Sequence, residues 1–213
     1  MVAGPAGAQQ YHGVRIVAGS LGGRVLRAPP GAATRPTTDK VRQALFNILG
    51  PPPPATHVLD LFAGSGALGL EALSRGAATA TFVERGRPAL LALRANLEAL
   101  GVTAQALVAA TDVARFCAQP PAGPRWRWVF LDPPYAADVV VATLTALPRG
   151  RLTADAVVVV EHAHRAPPPD RAGFLLRTDL RRYGDTELSF YRADPDPDPD
   201  PDPDARAHEP SPP

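Results

Sequence analysis

Residues 57–76 read HVLDLFAGSGALGLEALSRG. The run HVLDLF (57–62) is short, apolar and without polar alternation, the pattern of a strand buried on both faces. ALGLEALSRG (67–76) follows as a helical segment with Gly76 as its stop. Between them Gly64, Gly66 and Gly69 stand as G-x-G-x-x-G, and Glu84 closes the next apolar run, TATFVE (79–84). Small residues in such a turn let a ligand approach the backbone. The first helical turn offers free N–H donors, and a carboxylate at the end of the next strand can hold ribose hydroxyls. A loop of this kind binds a nucleoside without saying which.

Asp60 narrows the choice. It lies four residues before Gly64, near the carboxyl end of the first strand. An anionic pyrophosphate would be a poor neighbour for it. S-adenosylmethionine carries an ammonium and a sulfonium instead, so charge matching favours that cofactor over a nicotinamide dinucleotide.

Downstream the alternation continues. RPALLALRANLEALG (87–101) reads as a helix with Pro88 in its first turn and Gly101 at its end. AQALVAA, DVARFCA and WRWVFLD repeat strand, helix and strand, and DVVVATLTALP and AVVVVEHA extend the series. Five such units predict a parallel sheet with helices on both faces. Residues 173–192 read as two strands broken at Tyr183-Gly184-Asp185, an antiparallel pair closing one sheet edge. Upstream, RIVAGSLGGRVLRAPP (15–30) reads as a β-hairpin around a glycine-rich turn. In TTDKVRQALFNILG, Val41, Ala44, Leu45, Ile48 and Leu49 lie on one helical face ahead of Gly50, and PPPP then makes a stiff spacer.

The second decisive stretch is VFLDPPY (129–135), an apolar strand running into an acid, two prolines and a tyrosine. In doubly wound sheets ligands sit at the carboxyl ends of strands. Methyl transfer to an exocyclic amine needs hydrogen-bond acceptors aimed at the NH2, because its lone pair is delocalised into the ring. Asp132 supplies one acceptor and the Pro133 carbonyl a second, while Pro133 and Pro134 fix the turn without a competing N–H. Tyr135 offers a flat face for base stacking, worth ~1–3 kcal/mol. Positioning then provides most of the catalysis, and no metal is called for.

Of the 213 residues, 45% are hydrophobic, enough for one domain's core, and no apolar run is long enough to span a membrane. The N-terminus lacks the pattern of a signal peptide. Cys117 is the lone cysteine, which excludes a disulfide framework and a thiolate metal cage. A cytoplasmic protein is expected. The net charge of +1 hides an asymmetry: residues 193–213 hold seven acids and one base, leaving 21 bases against 14 acids in residues 1–192. A basic body favours a polyanionic partner. The Asp-Pro tail has neither helical nor core-forming character.

Lesser candidates read more simply as structure. His162 and His164 form H-x-H without an evident third metal ligand, Cys117 reads as a small buried residue, and Trp126 and Trp128 read as packing. Arg181 and Arg182 fit a solvated strand edge as well as an RNA contact.

Together DLFAGSGALGLEALSRGA, RIVAGSLGGRVLRAPPG, TRPTTDKVRQALFNIL, FLDPPY and YGDTELSFYR resemble, in order, the RsmD family of bacterial 16S ribosomal RNA guanine-N2 methyltransferases. The likeness covers residues 14–192, and the RPTTDKVRQALFN block discriminates it from other DPPY enzymes. It implies a Rossmann-like α/β class I S-adenosylmethionine-dependent methyltransferase with a mostly parallel seven-stranded sheet. It implies an RNA- and cofactor-contacting hairpin and helix (14–50) and a methyltransferase domain (51–192); outside the likeness, a flexible N-terminus (1–13) is expected, and composition predicts a disordered acidic tail (193–213). Asp60, Gly64, Ser65 and Gly66 would line the methionine end of the cofactor, with Phe62 also in that site. Glu84 would hold the ribose, and Asp112 would accept from the adenine amino group where the family commonly has Asn. Asp132, Pro133, Pro134 and Tyr135 would be catalytic. Arg35, Pro36, Thr37 and Thr38 would close over cofactor and base, and Arg15, Arg24 and Arg27 would meet RNA phosphate. The partner implied is 16S ribosomal RNA within a small-subunit particle, met by a monomer. Ala18 stands where the family often has glycine.

Other functions share parts of this pattern. DNA adenine-N6 and protein glutamine methyltransferases use a similar tetrapeptide, but the first normally needs a large recognition region and the second usually carries Asn at the place of Asp132. A non-catalytic RNA-binding assembly factor would have no need of Asp132. A nicotinamide oxidoreductase would need a proton relay that the sequence does not display.

Overall fold

The structure, a computed structural model, describes residues 14–29, 36–120, 122–133 and 137–195, with only the backbone described for residues 36–38 and 137. The alternation read from the sequence folds as α1 (Pro36–Leu49), β1 (His57–Leu61), α2 (Ala67–Ser74), β2 (Thr79–Glu84), α3 (Arg87–Leu100), β3 (Ala106–Ala110), α4 (Val113–Ala118), β4 (Trp126–Leu131), α5 (Ala137–Ala146), β5 (Leu152–Ala163), β6 (Arg171–Ala172), β7 (Leu175–Tyr183) and β8 (Thr186–Ala193). These strands form one sheet in the order β3-β2-β1-β4-β5-β8-β7-β6. The first five run parallel, and β8, β7 and β6 complete the sheet antiparallel. The expected seven strands are joined by an eighth, the two-residue β6, which pairs Arg171 and Ala172 with Leu176 and Leu175.

The strands lack polar alternation because two cores sandwich them. On one face Leu45 and Phe46 of α1, Leu70 and Leu73 of α2, and Leu93 and Leu97 of α3 pack on Val58, Phe82, Trp128 and Phe130. On the other, Phe116 and Cys117 of α4 and Val140 and Leu144 of α5 pack on Leu59, Leu61, Val83, Val129 and Leu131. Trp126 and Trp128 are both packed, as expected, yet in opposite cores. The register of β4 against β5 shifts between them, so a bulge reverses the usual rule that residues two apart share a face. Burial pushes the Cys117 thiol up to about 11, which makes it a neutral packing group.

The N-terminal hairpin is slighter than its sequence suggested. Among the described residues it has one antiparallel bridge, Arg15 to Val25, flanked by bonds from Ile16 N–H to Arg24 C=O and from Leu26 N–H to Val14 C=O. Several of its other backbone groups bond side chains of the neighbouring helices. Glu71 of α2 accepts the Val17 and Ala18 N–H groups at 2.6 and 3.0 Å, and Ser74 Oγ accepts the Leu21 N–H at 3.0 Å. Asn96 of α3 accepts the Arg27 N–H at 2.8 Å. Glu71 is fully buried, and its charge is met by Arg75 at 2.7 Å and Arg42 at 3.7 Å. Helix side chains thus replace ladder bonds, which is why two full strands do not form.

At the other end β8 closes at Ala193, and Asp194 is buried with a 2.7 Å ion pair to Arg171. Packing therefore runs two residues past position 192, into the stretch whose composition set it apart. The rest of the Asp-Pro run and residues 1–13 lie outside the described residues.

Candidate active site

The register places the key residues at one rim. Leu61 pairs with Val83 on one side and Leu131 on the other, and Leu131 pairs with Val160. The next residue of each strand is then Glu84 (β2), Phe62 (after β1), Asp132 (after β4) and Glu161 (β5). Neighbouring strands lie about 4.8 Å apart, so three carboxylates and one phenylalanine crown adjacent carboxyl ends of the sheet. Asp60 sits one layer below.

Asp60 is 1% exposed and accepts the Gly69 N–H at 2.9 Å. Gly69 is in the first turn of α2, so Asp60 caps that helix from the adjacent strand. Burial, with lesser contributions from the charges of Asp132 and Glu84, pushes its carboxyl up to about 8 despite the hydrogen bond. Asp60 therefore stands within electrostatic reach of both other acids, as a protonated group at neutral pH.

Glu84 shapes the glycine loop. Its two oxygens accept the Gly64 N–H at 2.9 Å and the Gly86 N–H at 2.6 Å, each keeping a second lone pair. Gly64 has φ +56° and Phe62 has φ +61°, two left-handed residues within one tight turn. For Phe62 that conformation costs on the order of 1–3 kcal/mol, the kind of strain that concentrates at ligand sites. A Cβ on Gly64 would meet nothing closer than 4.0 Å, so its face is open to a ligand.

The other two glycines are held by packing. A Cβ on Gly66 would lie 2.5 Å from Leu93 Cδ1, and one on Gly69 would lie 2.3 Å from Phe82 Cε1. Phe82 is fully buried and cannot yield. Gly69→Ala is therefore expected to lower stability by about 1–3 kcal/mol through overpacking, read as a fall in the urea midpoint at unchanged slope.

The remaining candidates divide. Asp132 is exposed and Pro133 half-buried at the end of β4, while Pro134 and Tyr135 lie outside the described residues. Arg35 also lies outside them, and Pro36, Thr37 and Thr38 begin α1 with their side chains undescribed. Ser65 contributes its backbone carbonyl to an Asn96 bond. Asp112 is exposed at the start of α4, two residues beyond β3, and accepts the Arg115 N–H at 2.9 Å. Arg15, Arg24 and Arg27 are on the surface, Arg15 beside Asp39 at 3.6 Å.

The lesser candidates have local partners. His162 Nδ1 donates to the Ala163 carbonyl, leaving Nε2 to accept from Ser189 Oγ at 2.8 Å. Burial holds His162 below its ordinary value. His164 Nδ1 lies 2.7 Å from Glu187. Arg181 pairs with Asp179 at 2.9 Å and Arg182 donates to the Gly184 carbonyl.

Three residues escaped sequence reasoning. Glu161 continues the acidic rim next to Asp132, and Glu71 and Asn96 tie the N-terminal segment to α2 and α3. The last two carry a readable signal, a polar residue inside an apolar helical stripe (LEAL, 70–73; LRANL, 93–97).

A parallel sheet of this order, with an antiparallel end and a glycine loop at its carboxyl rim, defines a Rossmann-like class I methyltransferase fold. The chain belongs to the RsmD family: the family model described as "Conserved hypothetical protein 95" matches residues 14–192. YlbH of Bacillus subtilis is 40% identical over 183 residues, spanning 84% of this chain and 98% of that protein. Ribosomal RNA small subunit methyltransferase D of Escherichia coli is 42% identical over 149 residues, spanning 70% and 74%. The solved structure of yhhF from Escherichia coli superimposes with a TM-score of 0.74 at 34% identity, over 84% of this chain and 97% of that one.

Proposed function

We propose that this chain transfers a methyl group from S-adenosylmethionine to the exocyclic N2 amine of a guanine in 16S ribosomal RNA of the small subunit. The observation that carries this reading is the convergence of Asp132 with Asp60 and Glu84 at one rim, beside an open glycine turn. The relative named for its action on small-subunit ribosomal RNA supports the substrate class.

The residues present fit the cofactor. The clustered acids Glu84, Asp132 and Asp60 suit a ligand bearing cationic groups, whose charge would favour the ionised form of Asp60, and disfavour a pyrophosphate. The open side of Gly64 admits a ligand to the backbone, and the free lone pairs of Glu84 can take ribose hydroxyls. Asp112 keeps an oxygen to accept an adenine amino group. When bound, S-adenosylmethionine supplies an electrophilic methyl on sulfonium.

The remaining work falls to this chain. Asp132 and the Pro133 carbonyl accept from the target NH2, orient its lone pair and stabilise the positive charge that develops on nitrogen. Asp132 or water then takes the departing proton. Tyr135 provides a stacking face for a base drawn out of the RNA. Arg15, Arg24 and Arg27 hold phosphates, and the segment Arg35 to Thr38 covers cofactor and base.

The test offers methyl-labelled S-adenosylmethionine to under-methylated small subunits and to naked 16S RNA, followed by nuclease digestion and mass spectrometry. Label at a guanine N2 is expected. Label confined to protein or DNA would overturn the proposal.

A further inference from the structure

Asn96 lies in the middle of α3, 2% exposed, with its carboxamide bonded three times. Oδ1 accepts the Arg27 N–H at 2.8 Å, while Nδ2 donates to the Arg27 carbonyl at 3.0 Å and to the Ser65 carbonyl at 2.9 Å. The two bonds to Arg27 imitate one rung of a β-ladder. The third fixes the residue between Gly64 and Gly66. One buried side chain thus grips the backbone of the basic N-terminal segment and the backbone of the glycine turn.

Such a group does not release one partner cheaply. A buried donor or acceptor left without a bond is strongly unfavourable in a low-dielectric interior. Movement of Arg27 breaks two bonds to the amide, and movement of Ser65 breaks the third. The two backbones are therefore held in one mutual arrangement. Few side chains can do this. Asp of the same size keeps the acceptor and loses both donors, Gln is one methylene too long, and Ala makes none of the bonds.

We infer that Asn96 is a positioning residue that couples RNA engagement by the Arg24–Arg27 segment to cofactor engagement by the Gly64–Gly66 turn. This rests on the ribosomal RNA and S-adenosylmethionine reading above. A ligand that holds either backbone in the Asn96-bridged arrangement prepares the other, and the coupling is reciprocal by thermodynamic necessity.

The experiment measures affinity for under-methylated small subunits with and without saturating S-adenosylhomocysteine. The wild-type chain is expected to bind about 5- to 50-fold more tightly with the cofactor product present. In Asn96→Ala and Asn96→Asp that ratio falls to near one. Leu97→Ala, which truncates a neighbouring buried side chain of α3 that makes none of the hydrogen bonds to Arg27 or Ser65, loses stability and keeps the ratio, so general weakening of α3 is separated from positioning.

A readout on the wild-type chain needs no variant to fold. Exchange of the Arg27 amide hydrogen slows when S-adenosylhomocysteine binds, although that amide is bonded to Asn96 and not to the ligand. A ratio retained in Asn96→Ala, or a wild-type ratio of one with both ligands bound, overturns the coupling and leaves the functional reading standing. Exchange that slows at Gly64 and not at Arg27 does the same. Binding of neither ligand overturns both.

Discussion

Replacing Asp132 by alanine is expected to lower the methyl-transfer rate at saturating cofactor by about 10²–10³-fold, the usual loss on removing one preorganised group that meets developing charge. Asp132 is exposed at the end of β4 and stands outside both cores. Its loss removes a like charge from beside buried Asp60 and is expected to change stability far less than the rate. Cofactor affinity changes far less than the rate, because the glycine turn and Glu84 remain. Single-turnover kinetics beside urea denaturation separate these quantities. A variant with ordinary single-turnover rates would remove Asp132 from the chemistry.

The second large effect concerns Asp60 and pH. Its carboxyl ordinarily titrates at 3.8 and is pushed up to about 8 in the folded chain, mainly by burial. Between those values the folded state keeps a proton that the unfolded state has released. Stability therefore falls as pH rises from about 4 to 8, by up to roughly 1.4 kcal/mol per pH unit, and levels off above 8. Asp60→Asn keeps an oxygen to accept the Gly69 N–H and cannot ionise. It is expected to match the wild type near pH 4 and to exceed it by on the order of 3–5 kcal/mol at pH 8. Urea titrations at several pH values check this, and a constant difference between the two proteins would contradict it. Function pulls the other way. A cation bound at the rim favours the ionised carboxylate, so the preference for S-adenosylmethionine over S-adenosylhomocysteine, which lacks the sulfonium charge, rises with pH through 8 in the wild type and stays flat in Asp60→Asn.

Why the sequence exposed the sheet and hid much of the site can be traced to particular residues. Unbroken apolar runs such as WVFL and VVVV mark strands covered on both faces, and Gly76, Gly101 and the prolines after Gly50 punctuate the helices, so the order of elements was readable. The rim was readable too, because G-x-G-x-x-G, Glu84 and DPPY each carry chemistry at the end of an apolar run. What Asp60 does was less so: its burial beneath the rim and its bond to Gly69 depend on α2 packing over β1. The hairpin was over-read because two short runs around a glycine-rich turn do not tell ladder bonds from bonds to Glu71 and Asn96 contributed by distant helices. The bulge between Trp126 and Trp128 arises from pairing with β5, a relation absent from local pattern.

The proposed reaction requires one rim of strand ends to hold both the cationic cofactor and the acceptor of the target amine. A crystal structure with S-adenosylhomocysteine tests it most directly. Adenosine is expected on the Gly64–Gly66 turn, with ribose hydroxyls on Glu84 and the sulfur facing Asp132. Ligand bound elsewhere, or a sulfur turned away from Asp132, would contradict it.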